Sequence, residues 1–153
     1  MLQVVNIKQS PMGTDQAIKY IQKVRNNQNK ISSFYDEFSD LSLAGDSLND
    51  FYLLVNDEKI IGCCGLVQND VLTQANRYPW ITSLYIDENY RGRNYGQLLM
   101  NHVIHRAQLL GYQTIYLTAR KTDYYRRQGW CELEQYLHQK ANKVYYKNLI
   151  EQR

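Results

Sequence analysis

The sequence predicts an α/β (α+β) domain built on a mixed β-sheet of six to seven strands flanked by helices. Three observations carry this. Short apolar or β-prone runs at 51–55, 60–67, 80–86, 114–119 and 144–149 are separated by polar or glycine-containing turns. Thr14–Val24 and Gln97–Leu110 place apolar residues at three- and four-residue spacing, the period of a helix with one buried face. Finally, a strand, a helix and a second strand follow one another from Trp80 to Ala119, a connection that joins parallel neighbours. With the antiparallel hairpin before them, the sheet is mixed.

Each element has a local reason. Leu2–Lys8 alternates as a first strand, and Pro11–Thr14 breaks it. Thr14 suits a helix cap, with Ala17, Ile18, Ile21 and Val24 on one face. The polar segment that follows is read as a short helix near Ser33–Phe38, then loop. Phe51–Val55 and Ile60–Val67 flank the turn NDEK as a hairpin, and Gln68–Tyr78 connects to Trp80–Ile86. This run is apolar or β-prone almost throughout without clean alternation, as in a central strand covered on both faces. Gln97–Leu110 carries Leu99, Val103, Ile104, Ala107 and Leu110 on one side and stops at Gly111. After the strand Thr114–Ala119, Thr122 caps a short helix halted by Gly129, and Trp130 onward and Val144–Leu149 supply the last strands.

A chain of 153 residues fits one domain, 1–153, around a single core. The formal charge of +3 is mild and its lysines and arginines are scattered, unlike the basic stripe of a nucleic-acid binder. MLQVVNIKQS has no basic segment followed by an apolar stretch, and no apolar run is long enough to span a bilayer, so a cytoplasmic protein with no membrane partner is expected. Cys63, Cys64 and Cys131 form neither a disulfide framework nor a metal knuckle and are read as small buried hydrophobes. His102 and His105 stand at i, i+3 on a helix without a carboxylate or cysteine to complete a set, and His138 stands alone, so no metal is expected.

The stretch YRGRNYG, Tyr90–Gly96, lies where a strand gives way to a helix. The first N–H groups of a helix have no partners within it, and the peptide dipoles make that end partially positive. Phosphate oxygens reach several such amides only if some positions lack a Cβ and others take a left-handed backbone, which Gly92 and Gly96 allow. Asn94 is the non-glycine type that best tolerates that backbone, while Arg91 and Arg93 add charge. The same pattern also suits a tight, solvated connection. Neither GxGxxG nor GxxxxGK[ST] is present.

SLYIDENYRGRNYG followed by YYRRQGW, Tyr124–Trp130, resembles the GNAT superfamily of acetyl-CoA-dependent N-acetyltransferases, through Leu84, Ile86, Arg91, Gly96 and the aromatic-Tyr-x-x-x-Gly-aromatic element. Asn94 replaces that family's middle glycine, and the segment before the short helix lacks its asparagine. The resemblance implies a splayed sheet with acetyl-CoA held where two parallel strands diverge. The pantetheine arm would then lie along Leu84, Tyr85 and Ile86, and the pyrophosphate on Gly92, Arg93, Asn94, Tyr95, Gly96 and Gln97 beside Arg91. It implies Tyr125 as the acid that protonates the departing thiolate, with Tyr124 packing, and a primary amine on a small molecule or peptide as acceptor. The backbone of Tyr85 or Ile86 would donate to the developing oxyanion.

No base is evident: the long strand has no carboxylate before Asp87 and Glu88, which lie toward the cradle, and Asp70 or a water chain are the alternatives. An α-amine with pKa near about 8 needs little help, which favours such an acceptor. Asp36, Glu37, Asp40, Asp46 and Asp50 make the first variable region acidic, as a cationic acceptor or a solvated loop would. Two competing readings are a non-catalytic acyl-CoA-binding sensor and a nucleic-acid module using Arg91, Arg93, Arg120, Lys121, Arg126 and Arg127. Homodimer formation is left open.

Overall fold

A computed structural model describes residues 1–27, 49–68, 79–119, 122–137 and 143–149. Strands β1 (Leu2–Asn6), β2 (Asn49–Asn56), β3 (Lys59–Val67), β4 (Trp80–Ile86), β5 (Thr114–Ala119), β6 (Cys131–Leu137) and β7 (Lys143–Asn148) form one seven-stranded sheet in the order β1-β2-β3-β4-β5-β7-β6. Among the described residues β4 and β5 run parallel and the other pairs are antiparallel. The helices are α1 (Thr14–Asn27), α2 (Tyr95–Leu109) and α3 (Thr122–Arg127). The mixed sheet expected from the strand and helix order is present, with α2 as the crossover between the two parallel strands.

Alternation along the strands divides the core in two. Leu53 and Cys63 join a cluster with Ala17, Ile18, Ile21 and Val24 of α1. Their sequence neighbours Leu54 and Cys64 join Leu99, Met100, Val103 and Ala107 of α2, together with Trp130 and Tyr145. Each helix therefore covers one face of the sheet with the stripe that its spacing announced. Each such Leu or Ile contributes about 1.5–3 kcal/mol by leaving water.

Several boundaries differ from the expectation. β1 stops at Asn6, whose side chain accepts from Lys8 N at 2.9 Å and opens a 3₁₀ turn over Ile7–Gln9. Gly13, at φ 89°, rather than Thr14, precedes the first turn of α1, with its carbonyl accepting from Ala17 N. α2 starts at Tyr95, two residues earlier than its apolar stripe, and Leu110 is its exposed C-cap rather than part of the buried face. Cys63 and Cys64 are buried, but Cys131 is exposed. It opens edge strand β6 directly after the buried Trp130, so alternation turns it outward. The helix expected near Ser33–Phe38 lies outside the described residues. Among the described residues no helix is long and apolar enough to cross a membrane.

Candidate active site

β4 is not a regular strand. Cys63 pairs with Tyr85 and Gly65 with Thr82, so the single residue Cys64 faces two, Ser83 and Leu84. Ser83 takes φ 56°, a left-handed backbone that costs a non-glycine residue about 1–3 kcal/mol unless its surroundings hold it. The bulge is buried, with Ser83 2% exposed. The Cys63 thiol donates to the Ser83 carbonyl at 3.1 Å, and the Thr82 and Ser83 hydroxyls lie 3.5 Å apart. Beyond the bulge, Gly62 lets the end of β4 sit close: a Cβ there would lie 2.8 Å from Tyr85 O and 2.8 Å from Ile86 Cδ1.

On its other side β4 leaves β5 almost at once. The two strands pair at Trp80 and Tyr116, and Tyr116 N donates to Pro79 O at 3.0 Å. Among the described residues the register goes no further toward Ile86. A bulge increases local twist and bends its strand, so the bulge and the parting are two aspects of one geometry. The outer residues Leu84, Tyr85 and Ile86 are half-buried and border the opening.

The chain then makes a 3₁₀ turn over Glu88–Tyr90 and enters the loop Arg91–Asn94. Gly92 has φ 83° and Asn94 φ 63°, ψ 22°, so Asn94 adopts the left-handed conformation that its residue type tolerates. The Asn94 carbonyl accepts from Leu98 N at 3.1 Å, so the amides of Tyr95, Gly96 and Gln97 precede the first helical hydrogen bond. Neither φ nor a neighbouring side chain demands glycine at 96, because a Cβ there would come no nearer than 4.0 Å, to Ile86 Cγ1. A ligand lying against these amides would supply the missing reason. The cradle and the end of β4 therefore adjoin, and the residues fit a diphosphate.

Aromatic rings hold the cationic rim. Arg91 donates from Nε to Ile86 O at 2.8 Å, and its guanidinium lies 5.3 Å from the centre of the Tyr85 ring. Arg93 and Lys59 both lie over Tyr90, at 5.6 and 5.4 Å. Tyr20 of α1 donates to Asp87 Oδ1 at 2.6 Å and meets the Tyr85 ring edge-on, so Asp87 anchors α1 to the end of β4. Burial, then the bond to Asp87, raises the Tyr20 pKa far above its usual value.

α3 carries the adjacent tyrosines. Tyr125 packs against Trp130 at 6.4 Å and Tyr145 at 5.8 Å between ring centres, on the core face shared with α2. Burial, and after it Tyr124, Cys64 and Tyr145, raise its pKa and keep the phenol protonated at neutral pH. Tyr124 meets the Tyr125 ring edge-on at 5.0 Å and donates to Gln97 Oε1 at 3.4 Å, while Gln97 Nε2 donates to Asn101 at 2.7 Å. The tyrosine helix and the first turn of α2 are thus joined by a side-chain bridge.

The sequence profile of the acetyltransferase (GNAT) family matches residues 16–130, well over half of the chain. The chain belongs to the GNAT acetyltransferase family. Amino-acid acetyltransferase of Vibrio vulnificus is 31% identical over 91 residues, a match spanning 54% of this chain but only 18% of that much longer relative. An acetyltransferase of the GNAT family from Staphylococcus aureus Mu50 has the same fold, with TM-score 0.66, 21% identity, and coverage of 98% of this chain and 100% of that one. So does N-acetylglutamate synthase from Neisseria gonorrhoeae, solved with coenzyme A and N-acetyl-glutamate, with TM-score 0.68, 17% identity, and coverage of 99% and 36%.

In this GNAT domain the motif residues 84–86 and 91–97 come together around one end of β4, and Tyr125 is linked to them through Tyr124 and Gln97. His102 and His105 are exposed on α2, and His102 packs edge-on against Tyr52 with its pKa lowered mainly by partial burial. Among the described residues no group of three or more His, Cys, Asp or Glu is placed to hold a metal ion. Arg126 pairs with Glu132, and Arg127 Nε donates to Asp123 O at 3.3 Å, so both are engaged locally. Asp70, Arg120, Lys121, His138 and the acidic positions 36–46 lie outside the described residues. Sequence reasoning passed over Ser83, Cys63 and Tyr20. The missing alternation in WITSLYI reflected the burial that Trp80–Ser83 have and did not mark the bulge, and nothing local marked Tyr20 as the partner of Asp87.

Proposed function

We propose that this domain is an N-acetyltransferase that takes the acetyl group of acetyl-CoA and passes it to a primary amine, with the α-amine of an amino acid or peptide as the favoured class. The observation that carries this reading is the left-handed Gly92–Asn94 loop opening α2 at the point where β4 parts from β5. Gly92, Arg93, Asn94, Tyr95, Gly96 and Gln97 would hold the pyrophosphate through backbone amides and the dipole of α2. Leu84, Tyr85 and Ile86 would lie along the pantetheine arm, and Arg91 would screen the charge from the rim. Bound acetyl-CoA supplies an activated acyl carbon and a thiolate leaving group.

The chain's own residues orient, polarise and protonate. An amide of Tyr85 or Ile86 aimed into the slot stabilises negative charge on the acyl oxygen. Tyr125 gives its proton to the thiolate sulfur, and the proton that the amine sheds as the amide forms passes to solvent water, from which the phenolate is reprotonated. A phenol near about 10 facing a thiol near about 8.5 makes that transfer uphill by roughly 2 kcal/mol, and the burial that raises Tyr125 increases this cost. Asp87 Oδ1 accepts from Tyr20, and the acceptor enters as the neutral amine. An α-amine is half deprotonated near pH 8 (roughly), whereas a lysine side chain is not. The acetylating Vibrio relative and the Neisseria synthase complex are in keeping with an amino-acid acceptor.

The bond that Asp87 accepts from Tyr20 also favours a second reading, an acyl-CoA-binding sensor that retains the fold without turnover. Release of free thiol from acetyl-CoA, measured across a panel of α-amino and ε-amino acceptors, separates the two. The enzyme reading expects amine-dependent release, and a Tyr125→Phe variant that loses about 10²-fold in kcat with acetyl-CoA affinity changed by less than about threefold. Release that no amine stimulates favours the sensor, and unchanged turnover removes Tyr125 from the mechanism.

A further inference from the structure

We infer that Cys63 is a positioning residue: its thiol latches the bulge of β4 and so sets the opening between β4 and β5. Where the thioester is concerned, this rests on the acetyl-CoA reading above. The contact joins neighbouring strands at one point, with Sγ 3.1 Å from the carbonyl of Ser83, the residue at φ 56°. Both partners are almost fully buried, at 0% and 2% exposure.

A non-glycine residue stays in a left-handed backbone only when its surroundings determine it, and a regular register is the competing state. Recovering that register would turn Leu84, Tyr85 and Ile86 over, because side chains alternate with a period of two. The cofactor-lining face of β4 would then be lost. Cys63 stands on the α1 side of the sheet, in the cluster of Ile18 and Ile21, so it acts on the slot from behind without reaching the reacting atoms. Its neighbour Cys64 is equally buried but lies in the other cluster, on the α2 side of the sheet, with its sulfur 4.0 Å from Gly65 O. Two adjacent cysteines thus serve opposite faces of the sheet, and Cys63 is the one that holds the Ser83 carbonyl.

The test compares wild type, Cys63→Ala, Cys63→Ser, and the double variant Cys63→Ala with Ser83→Gly, reading amide hydrogen exchange in the Trp80–Ile86 peptide and calorimetric acetyl-CoA affinity. Cys63→Ala is expected to exchange about tenfold faster in that peptide and to bind acetyl-CoA about fivefold more weakly. Cys63→Ser, which keeps a donor, is expected within about twofold of wild type in exchange. The double variant is expected to regain protection, because glycine accepts the left-handed backbone unaided. Equal behaviour of the alanine and serine variants, or unchanged exchange in Cys63→Ala, overturns the latch. Absence of acetyl-CoA binding by wild type would defeat the functional reading alone, since the exchange measurement decides the latch without any ligand.

Discussion

Asn94 concentrates the tension between backbone and ligand in one residue. Its φ of 63° is paid for at a position where the family motif has glycine, and its side chain makes no capping hydrogen bond. Asn94→Gly therefore relieves strain, whereas Asn94→Ala adds a side chain that tolerates this backbone poorly. The alanine variant is expected to lose about 1 kcal/mol of stability and the glycine variant none, as measured by urea denaturation. The residue type alone made this legible, since asparagine between two glycine-permitted positions is a left-handed signature. Tyr52 was not legible in that way. Its buried phenol bonds Asp50 Oδ2 at 3.4 Å, and burial followed by the Asp50 charge pushes its pKa up to about 12. A phenol raised in the folded state contributes stability that is complete below its unfolded value near about 10 and is lost as pH rises toward the folded value. Stability is thus expected to fall between about pH 10 and about pH 12, less steeply in Tyr52→Phe, with denaturant titrations at each pH as the check. Tyr20 and Tyr125, raised for the same first cause, act in the same direction.

The decisive element is β4, and it depends on its neighbour β3. Gly62 and Gly65 bracket the two cysteines of β3, and a Cβ at Gly65 would meet the Phe51 ring at 2.5 Å. At Gly62 the obstacle is the Tyr85 carbonyl itself, which has no rotamer with which to move aside. Gly62→Ala is expected to cost about 1–3 kcal/mol in thermal or urea unfolding and to shift the segment that would line the pantetheine arm. A variant as stable as wild type would show that β4 yields more easily than its packing implies. The strands and both long helices were readable from periodicity, because burial on one face or two leaves a repeating pattern. The bulge was not readable, since cover on both faces already accounts for the unbroken run of WITSLYI. The bridge from Tyr124 to Gln97 was not readable, since it joins residues 27 apart through the parting of two strands.

At the scale of the whole molecule, the order β1-β2-β3-β4-β5-β7-β6 leaves, among the described residues, one parallel pair in an otherwise antiparallel sheet. That pair separates after one position, with a helix stacked on each face of the sheet, so the opening lies inside the fold rather than at an edge. The left-handed loop delivers the first amides of α2 to one end of this opening, and α3 is joined to that same turn of α2 through Tyr124 and Gln97. The positive rim of Arg91, Arg93 and Lys59 faces the same end, held over tyrosine rings. The spatial meeting of these parts follows from topology, which single motifs do not specify; only their order, strand then glycine loop then Tyr-Tyr helix, was legible beforehand. The central claim is that this meeting place is an acetyl-CoA site. The direct measurement is the melting temperature of the protein with acetyl-CoA, NADH or ATP. Acetyl-CoA at about 100 times its dissociation constant is expected to stabilise by about 2.7 kcal/mol, raising the melting temperature by roughly 5–10 °C. NADH and ATP at the same concentration are expected to leave it unchanged, and an equal shift with all three, or none with acetyl-CoA, would contradict the account.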